Sequence, residues 1–436
     1  MQLFEQIKTL RFPAPLPEKL LLVEQRFDAP RLDDLAAAVN KALEDGELLA
    51  RMQPGATVAV GAGSRGIANL PLIIRAAVDR LKAEGFKPFI FPAMGSHGGA
   101  TAEGQRQVLA DLGVTEETVG VEIRATMETV QIGQLPGGPA LFMDVNAAGA
   151  GHTLLINRVK AHTDFRGRLE SGLTKMAVIG MGKQQGATLM HAQGVPGFQK
   201  FLIPAARIYE TETNLAGGLA IIENAYDQTA EIVGLTASQI GAPVEEALLE
   251  KAKSLMASLP FPEIDVLGIQ RMGKDISGAG MDTNIISRLK IPRQPENFGE
   301  VDVAVIAVLD LTGATHGNAT GLGLADVTTA RMVQKIDWIS TYTNLITSGS
   351  LGVQRSPIPI VMATDRDALQ VALRCCGQPQ ETARIVLIRD TLTLDHLWVS
   401  PSLKAAVEAH DRLSLLDEVP LDFGEGGAMA SPWKME

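Results

Sequence analysis

Residues 57–113 read TVAVGAGSRGIANLPLIIRAAVDRLKAEGFKPFIFPAMGSHGGATAEGQRQVLADLG, and this stretch decides the fold class. TVAVGAG is a short apolar run of the kind that forms a strand buried on both faces, and GIANLPLIIRAAVDRLKAEG alternates apolar and polar residues with a helical period. A second apolar run, KPFIFPA, and a second helix-like segment, ATAEGQRQVLADLG, follow. The order strand, helix, strand, helix predicts a parallel α/β sheet. Working outward, VGVEIRA (119–125), ALFMDV (140–145) and TLLINRV (153–159) are further strand candidates, and helical patterns cover 197–209 and 243–259. Pro243 suits the first turn of a helix, where its missing N–H costs nothing.

The polar, proline-containing sequence RLKIPRQPENFG (288–299) interrupts the periodicity and sets a predicted domain boundary. Beyond it come strand VDVAVIAVL, helix DVTTARMVQKIDWI, strand IPIVMA, helix DALQVALRCCG and strand TARIVLIR. The expected architecture is therefore two α/β domains with mostly parallel sheets, 1–290 and 300–421, with an active-site cleft between them. Residues 422–436, glycine-rich and ending SPWKME, read as a loosely held tail.

The bulk numbers narrow the function classes. A chain of 436 residues exceeds what one core usually organises, and 46% hydrophobic with 20% charged residues supplies ample core without a disorder signature. With a net charge of -11 and scattered Lys and Arg, neither a nucleic-acid surface nor a polybasic membrane patch is expected. The two cysteines are adjacent, Cys375 and Cys376, so no disulfide framework or cysteine metal site can be built, which fits a reducing compartment. The first twenty residues lack the pattern of a signal peptide, and no apolar run reaches the ~20 residues of a membrane span. A cytoplasmic protein is expected, with room for a homo-oligomer.

Chemistry is concentrated in a few positions. Gly61, Gly63 and Gly66 match G-x-G-x-x-G between a strand and a helix, where backbone N–H groups can hold a phosphate. The next strand, however, offers no acidic residue for a ribose, so dinucleotide binding is disfavoured. A tight turn or a phosphate or carboxylate site remain. Arg65 lies in that loop with a guanidinium suited to a carboxylate. His97 follows the second strand in PAMGSHGGAT, at the same sheet edge. His162 lies in KAHTDFRG after TLLINRV, and Lys175 in the apolar, glycine-rich run SGLTKMAVIGMGK, where an ammonium is costly unless paired, depressed in pKa or covalently modified. His191 falls inside a probable helix, and the glutamine after GMGK excludes a phosphate-binding Walker loop. A three-histidine zinc site is conceivable, but no H-E-x-x-H or G-x-S-x-G motif accompanies it.

In this order, Arg65 in GSRG, His97 in GSHGGATAEG, His162 in NRVKAHTDFRG, Lys175 in SGLTKMAVIGMG and His191 after fifteen intervening residues, the sequence resembles the nickel-pincer lactate racemase family of 2-hydroxy acid racemases and epimerases. The resemblance spans most of residues 55–200. It implies a pyridinium-3-thioamide-5-thiocarboxylic acid mononucleotide carrying nickel, joined to Lys175 through a thioamide, with His191 as the fourth nickel ligand and the cofactor made by separate maturation enzymes. It further implies a small-molecule carboxylate substrate clamped by Arg65, and His97 and His162 as the acid/base pair flanking a reversible hydride transfer. Gly61, Gly63 and Gly66 then acquire a phosphate-binding role.

The loop GAGSRGIA lacks the aspartate and proline that the family usually places around the arginine, and the interval from His162 to Lys175 is longer. That interval carries Arg166, Arg168 and Glu170, charges that would suit a larger or more polar substrate. From the second domain, Gln334, Lys335 and Tyr342 are candidate substrate contacts, with an ordinary polar helix surface as the alternative. The competing functional reading is a non-racemase homologue, a carboxylate-binding protein or a simple metal-dependent hydrolase using the same histidine cleft.

Overall fold

A computed structural model of the chain describes residues 2–64, 66–296 and 298–430. It is a mixed α/β structure with mostly parallel sheets, as the sequence predicts, and it divides into two compact units, Asp28–Met256 and Met1–Phe27 joined with Ala257–Glu436.

In the unit Asp28–Met256, the strand Thr57–Ala62 pairs in parallel with Lys87–Pro92 on one side and with His152–Arg158 on the other. Leu215–Glu223 extends the sheet in parallel and Thr229–Thr236 closes it antiparallel. The connecting helix Leu70–Ala83 buries Leu70, Ile73, Ile74, Ala77, Val78 and Leu81, the stripe that its 3.6-residue period lays on one face. Each fully buried large aliphatic side chain contributes roughly 1.5–3 kcal/mol, which holds the helix on the sheet although its N-cap, Asn69, makes no side-chain cap. Since Thr57–Ala62 has its sequence neighbour on one side and His152–Arg158 on the other, the carboxyl ends of these two strands flank the point where strand order reverses. Open α/β sheets bind ligands there.

Three readings shift here. VGVEIRA is not a strand: Thr115 caps a short helix, Glu116–Val119, and Gly120 ends it at a φ of 75°. Only Ile123 then bridges to Ile90 at the sheet's edge. ALFMDV is a strand, Ala140–Asp144, but it belongs to an antiparallel hairpin with Thr129–Gln134 rather than to the parallel sheet. In the second unit, DVTTARMVQKIDWI divides into the strand Val327–Thr329 and the helices Ala330–Gln334 and Trp338–Thr347.

That second unit is built on an eight-stranded sheet in the order Ile360–Met362, Val327–Thr329, Asp302–Val308, Glu263–Ile269, Ile385–Ile388, His396–Val399, Lys19–Gln25, Leu413–Pro420. The first five strands are parallel and the last three add antiparallel. The boundary predicted at 290–300 therefore lies within this unit. The reason is hydrogen bonding: Lys19–Gln25 is stitched between two C-terminal strands, and Glu263–Ile269 pairs with both Asp302–Val308 and Ile385–Ile388. Residues 422–430 are also tied down. Phe423 bridges Met429, and the Met429 N–H donates to the Asp365 carboxylate at 2.8 Å; residues 431–436 of the predicted tail lie outside the described residues.

Candidate functional site

The three loops leaving the carboxyl ends of Thr57–Ala62, Lys87–Pro92 and His152–Arg158 carry most of the candidate residues of the unit Asp28–Met256. Arg65 lies outside the described residues. Gly61 sits within its strand, and a Cβ there would come 2.8 Å from Leu155 Cδ2 and 3.1 Å from Phe91 Cζ, so side-chain packing requires this glycine. A Cβ on Gly63 would approach Asn157 Oδ1 at 3.2 Å, whereas Gly66 has open space.

His97 lies exposed in the next loop, with Nδ1 hydrogen-bonded to Ser64 Oγ, so the first two loops are joined side chain to side chain. Gly98 follows at a φ of 67°, and a Cβ there would lie 2.5 Å from the carbonyl carbon of Gly104. The turn closes at this point only without a side chain. Thr101 then caps the helix Ala102–Asp111 by accepting from the Gly104 N–H at 3.0 Å.

The third loop folds around buried carboxylates. His162 donates its backbone N–H to Glu170 Oε2 at 2.8 Å, and its Nδ1 accepts from the Asp164 N–H at 3.0 Å. An accepting Nδ1 places the proton of the neutral ring on Nε2. Glu170 is fully buried and is met by Lys253 at 3.0 Å and Arg166 at 3.4 Å. Arg168 pairs with Glu246 at 2.7 Å. Arg166, Arg168 and Glu170 thus brace the loop against the helix Pro243–Ser254.

Lys175 ends the short helix Gly172–Lys175 and is followed by a π-helical turn, Met176–Gly180, in which the Met181 N–H reaches Met176 O at 2.9 Å. Such turns concentrate at functional sites. A second buried carboxylate organises this segment: Glu245 accepts from Thr174 N at 3.0 Å, Thr174 Oγ1 at 2.5 Å and Gly241 N at 2.8 Å. Burial raises its pKa and these bonds oppose the rise. Asn157 adds a bond from Nδ2 to Gly172 O at 2.8 Å.

His162, Lys175 and His191 meet around two aromatic rings. Phe165 and Phe198 stack with centroids 5.3 Å apart. His162 lies 4.5 Å from the Phe165 ring and His191 stands edge-on to Phe198 at 5.1 Å. The Lys175 ammonium is 5.5 Å from the first phenyl centroid and 5.9 Å from the second, within cation–π range. His191, the last residue of the helix Lys183–His191, keeps solvent access as a residue, yet the surrounding protein desolvates its imidazole. That desolvation lowers its pKa, the Lys175 cation lowers it further, and the Asp164 carboxylate opposes both.

Sequence reasoning missed Phe165, Phe198, Glu245 and Asn157. The phenylalanines read as core, and Glu245 in a helix's first turn reads as a dipole residue. Lys335 and Tyr342 belong to the other unit. There the Lys335 ammonium lies 2.6 Å from Asp310, and Tyr342 is exposed beside Trp338, ring centroids 5.5 Å apart. Among the described residues no three His, Cys, Asp or Glu side chains are grouped to hold a metal ion, so His97, His162 and His191 do not form a preassembled zinc site. No described helix is long and apolar enough to cross a membrane.

No family model matches the chain, and no curated protein matches it. Among solved structures, the chain is similar to a protein from Thermotoga maritima, with 13% identity over 65% of this chain and 72% of that one at a TM-score of 0.47. It is also similar to the lactate racemase apoprotein from Thermoanaerobacterium thermosaccharolyticum, with 12% identity over 85% of this chain and 88% of that one at a TM-score of 0.42.

Proposed function

We propose that the chain is a racemase or 2-epimerase of 2-hydroxy acids that works with a nickel-pincer pyridinium mononucleotide tethered at Lys175. The observation that carries this reading is the grouping of His162, Lys175 and His191 around Phe165 and Phe198. One amine and one imidazole, the last residues of the helices Gly172–Lys175 and Lys183–His191, match what such a group would require of a protein: an amine to form the thioamide and one further ligand. Imidazole is a suitable donor for nickel, so His191 would hold the metal. Desolvation favours the neutral, metal-binding form of His191, and the two phenyl rings offer an apolar wall beside the tether. When bound, the group supplies the hydride acceptor for the substrate's α-carbon.

The protein's own residues supply proton movement and orientation. His162, with its Nδ1 bonded to the Asp164 N–H, holds a proton on Nε2 and can donate it to a forming hydroxyl. His97, oriented by Ser64, accepts the hydroxyl proton at the other position. Arg65 clamps the substrate carboxylate, and a planar 2-keto acid between the two imidazoles can be reduced on either face. The hydrolase alternative needs a metal held by protein side chains alone, and the described residues offer no such group.

The test is intact-mass and metal analysis of protein produced alongside the maturation enzymes. A mass increment localised to Lys175 with stoichiometric nickel supports the proposal. Protein without an increment that binds zinc and hydrolyses an ester or amide contradicts it.

A further inference from the structure

Lys183 and Asp144 form an ion pair at 2.9 Å with no exposed side-chain surface on either partner. Lys183 also opens its helix with a φ of 51°, a left-handed state that is costly for a residue with a side chain. A buried ammonium is tolerated only when its N–H groups are used. Besides Asp144, this one donates to Gln105 Oε1 at 2.9 Å and to the Pro92 carbonyl. Asp144 meanwhile caps the next segment, accepting from Asn146 N at 2.8 Å and Ala147 N at 3.2 Å.

Gln105, itself fully buried, passes the restraint on. Its Nε2 donates to Gly95 O at 2.8 Å and to His97 O at 3.3 Å, while the Gly95 N–H donates to Gly180 O at 3.1 Å. The ammonium therefore holds the loop of His97 at both ends: directly at Pro92, where the strand stops, and through Gln105 at Gly95 and His97. The helix that Lys183 opens is the one that ends on His191. Buried ion pairs are poor sources of stability relative to apolar packing, so a geometric role accounts for this one better than a stabilising role.

We propose that Lys183 and Gln105 are positioning residues that fix the His97 loop against the segment carrying Lys175 and His191. The inference rests on reading His97 as an acid/base group.

The test is histidine-ring NMR on the full chain, without cofactor, labelled with 13C-histidine. The chain has seven histidines, each assigned by a single His→Gln substitution. Gln105→Leu removes the relay, and Lys183→Met with Asp144→Asn removes the ammonium without stranding a carboxylate. In both variants the His97 ring signals are expected to move to the positions they take when Ser64→Ala removes the Ser64 bond from the parent protein, and adding Ser64→Ala to either variant then shifts them no further. The signals of His162 and His191 stay in place. Persistence of the His97 signals and of their response to Ser64→Ala in both variants overturns the proposal. Displacement of His162 and His191 together with His97 also overturns it, because the network then supports the core in general. Neither cofactor nor turnover enters this measurement, so its failure leaves the Lys175 reading standing, and a missing Lys175 adduct leaves this result standing.

Discussion

Replacing Glu245 tests whether a buried carboxylate sets the backbone that presents Lys175. Its side chain is fully buried, and it accepts from the N–H groups of Leu173, Thr174 and Gly241 and from the Thr174 hydroxyl. Glu245→Ala leaves those donors in a dry pocket. At roughly 1–3 kcal/mol for each stranded N–H, three of them sum to about 3–9 kcal/mol. Relief from burying a charge returns part of this, so the net loss should be about 3–5 kcal/mol, the lower part of that range. Glu245→Gln keeps the volume and one accepting oxygen but turns N–H groups toward a donor, and should cost about 1–3 kcal/mol. Because burial raises the folded-state pKa of this carboxyl above its ordinary value, the native state holds the proton more tightly than the unfolded chain. Its contribution to stability therefore falls as pH rises from the unfolded pKa through the folded one, and the glutamine variant lacks that decline. Urea unfolding followed by far-UV circular dichroism, with hydrogen exchange over residues 172–175, measures all three. An alanine variant within about 1 kcal/mol of the parent, or one more stable than the glutamine variant, refutes the reasoning.

Further outcomes follow from other contacts. His152 Nε2 accepts the Gln53 N–H at 2.9 Å and burial lowers its pKa, so its contribution is present above its unfolded pKa and lost as pH falls through the lower folded value; thermal midpoints between about pH 8 and pH 5 should fall less steeply in His152→Gln. Arg168→Ala should change stability by less than about 0.5 kcal/mol, because its bridge to Glu246 is 66% exposed on the arginine side; a tenfold loss of substrate affinity would instead give Arg168 the substrate role that the sequence suggested. Gly98→Ala should cost about 1–3 kcal/mol through its left-handed backbone and its clash with Gly104, and an unchanged thermal midpoint would contradict that account.

The central α/β alternation was legible because strands buried on both faces, such as Thr57–Ala62, read as continuous apolar runs, and helices such as Leu70–Ala83 carry one apolar stripe. The domain limits were not. Lys19–Gln25 pairs with strands nearly four hundred residues away, and register between distant segments leaves no local mark in composition. Pro and Gly punctuation at 288–299 marks a loop, and a loop within a sheet looks the same as a loop between units. At the site, chemically distinctive residues such as His97, His162, Lys175 and His191 could be singled out by type and motif. The residues that seat them could not: Phe165 and Phe198 are ordinary apolar residues until their rings stack, and Glu170 reads as one more pocket charge until its burial and its bond to the His162 N–H are seen.

The most direct test of the account is the mass of Lys175. In protein made with the maturation enzymes, the peptide containing Lys175 should carry the pyridinium nucleotide as a covalent increment. Lys175→Ala should lose that increment while keeping its fold by circular dichroism, and His191→Ala should keep it while losing nickel. An unmodified Lys175 in a folded preparation that racemises a 2-hydroxy acid, or full activity in Lys175→Ala, would contradict the central claim.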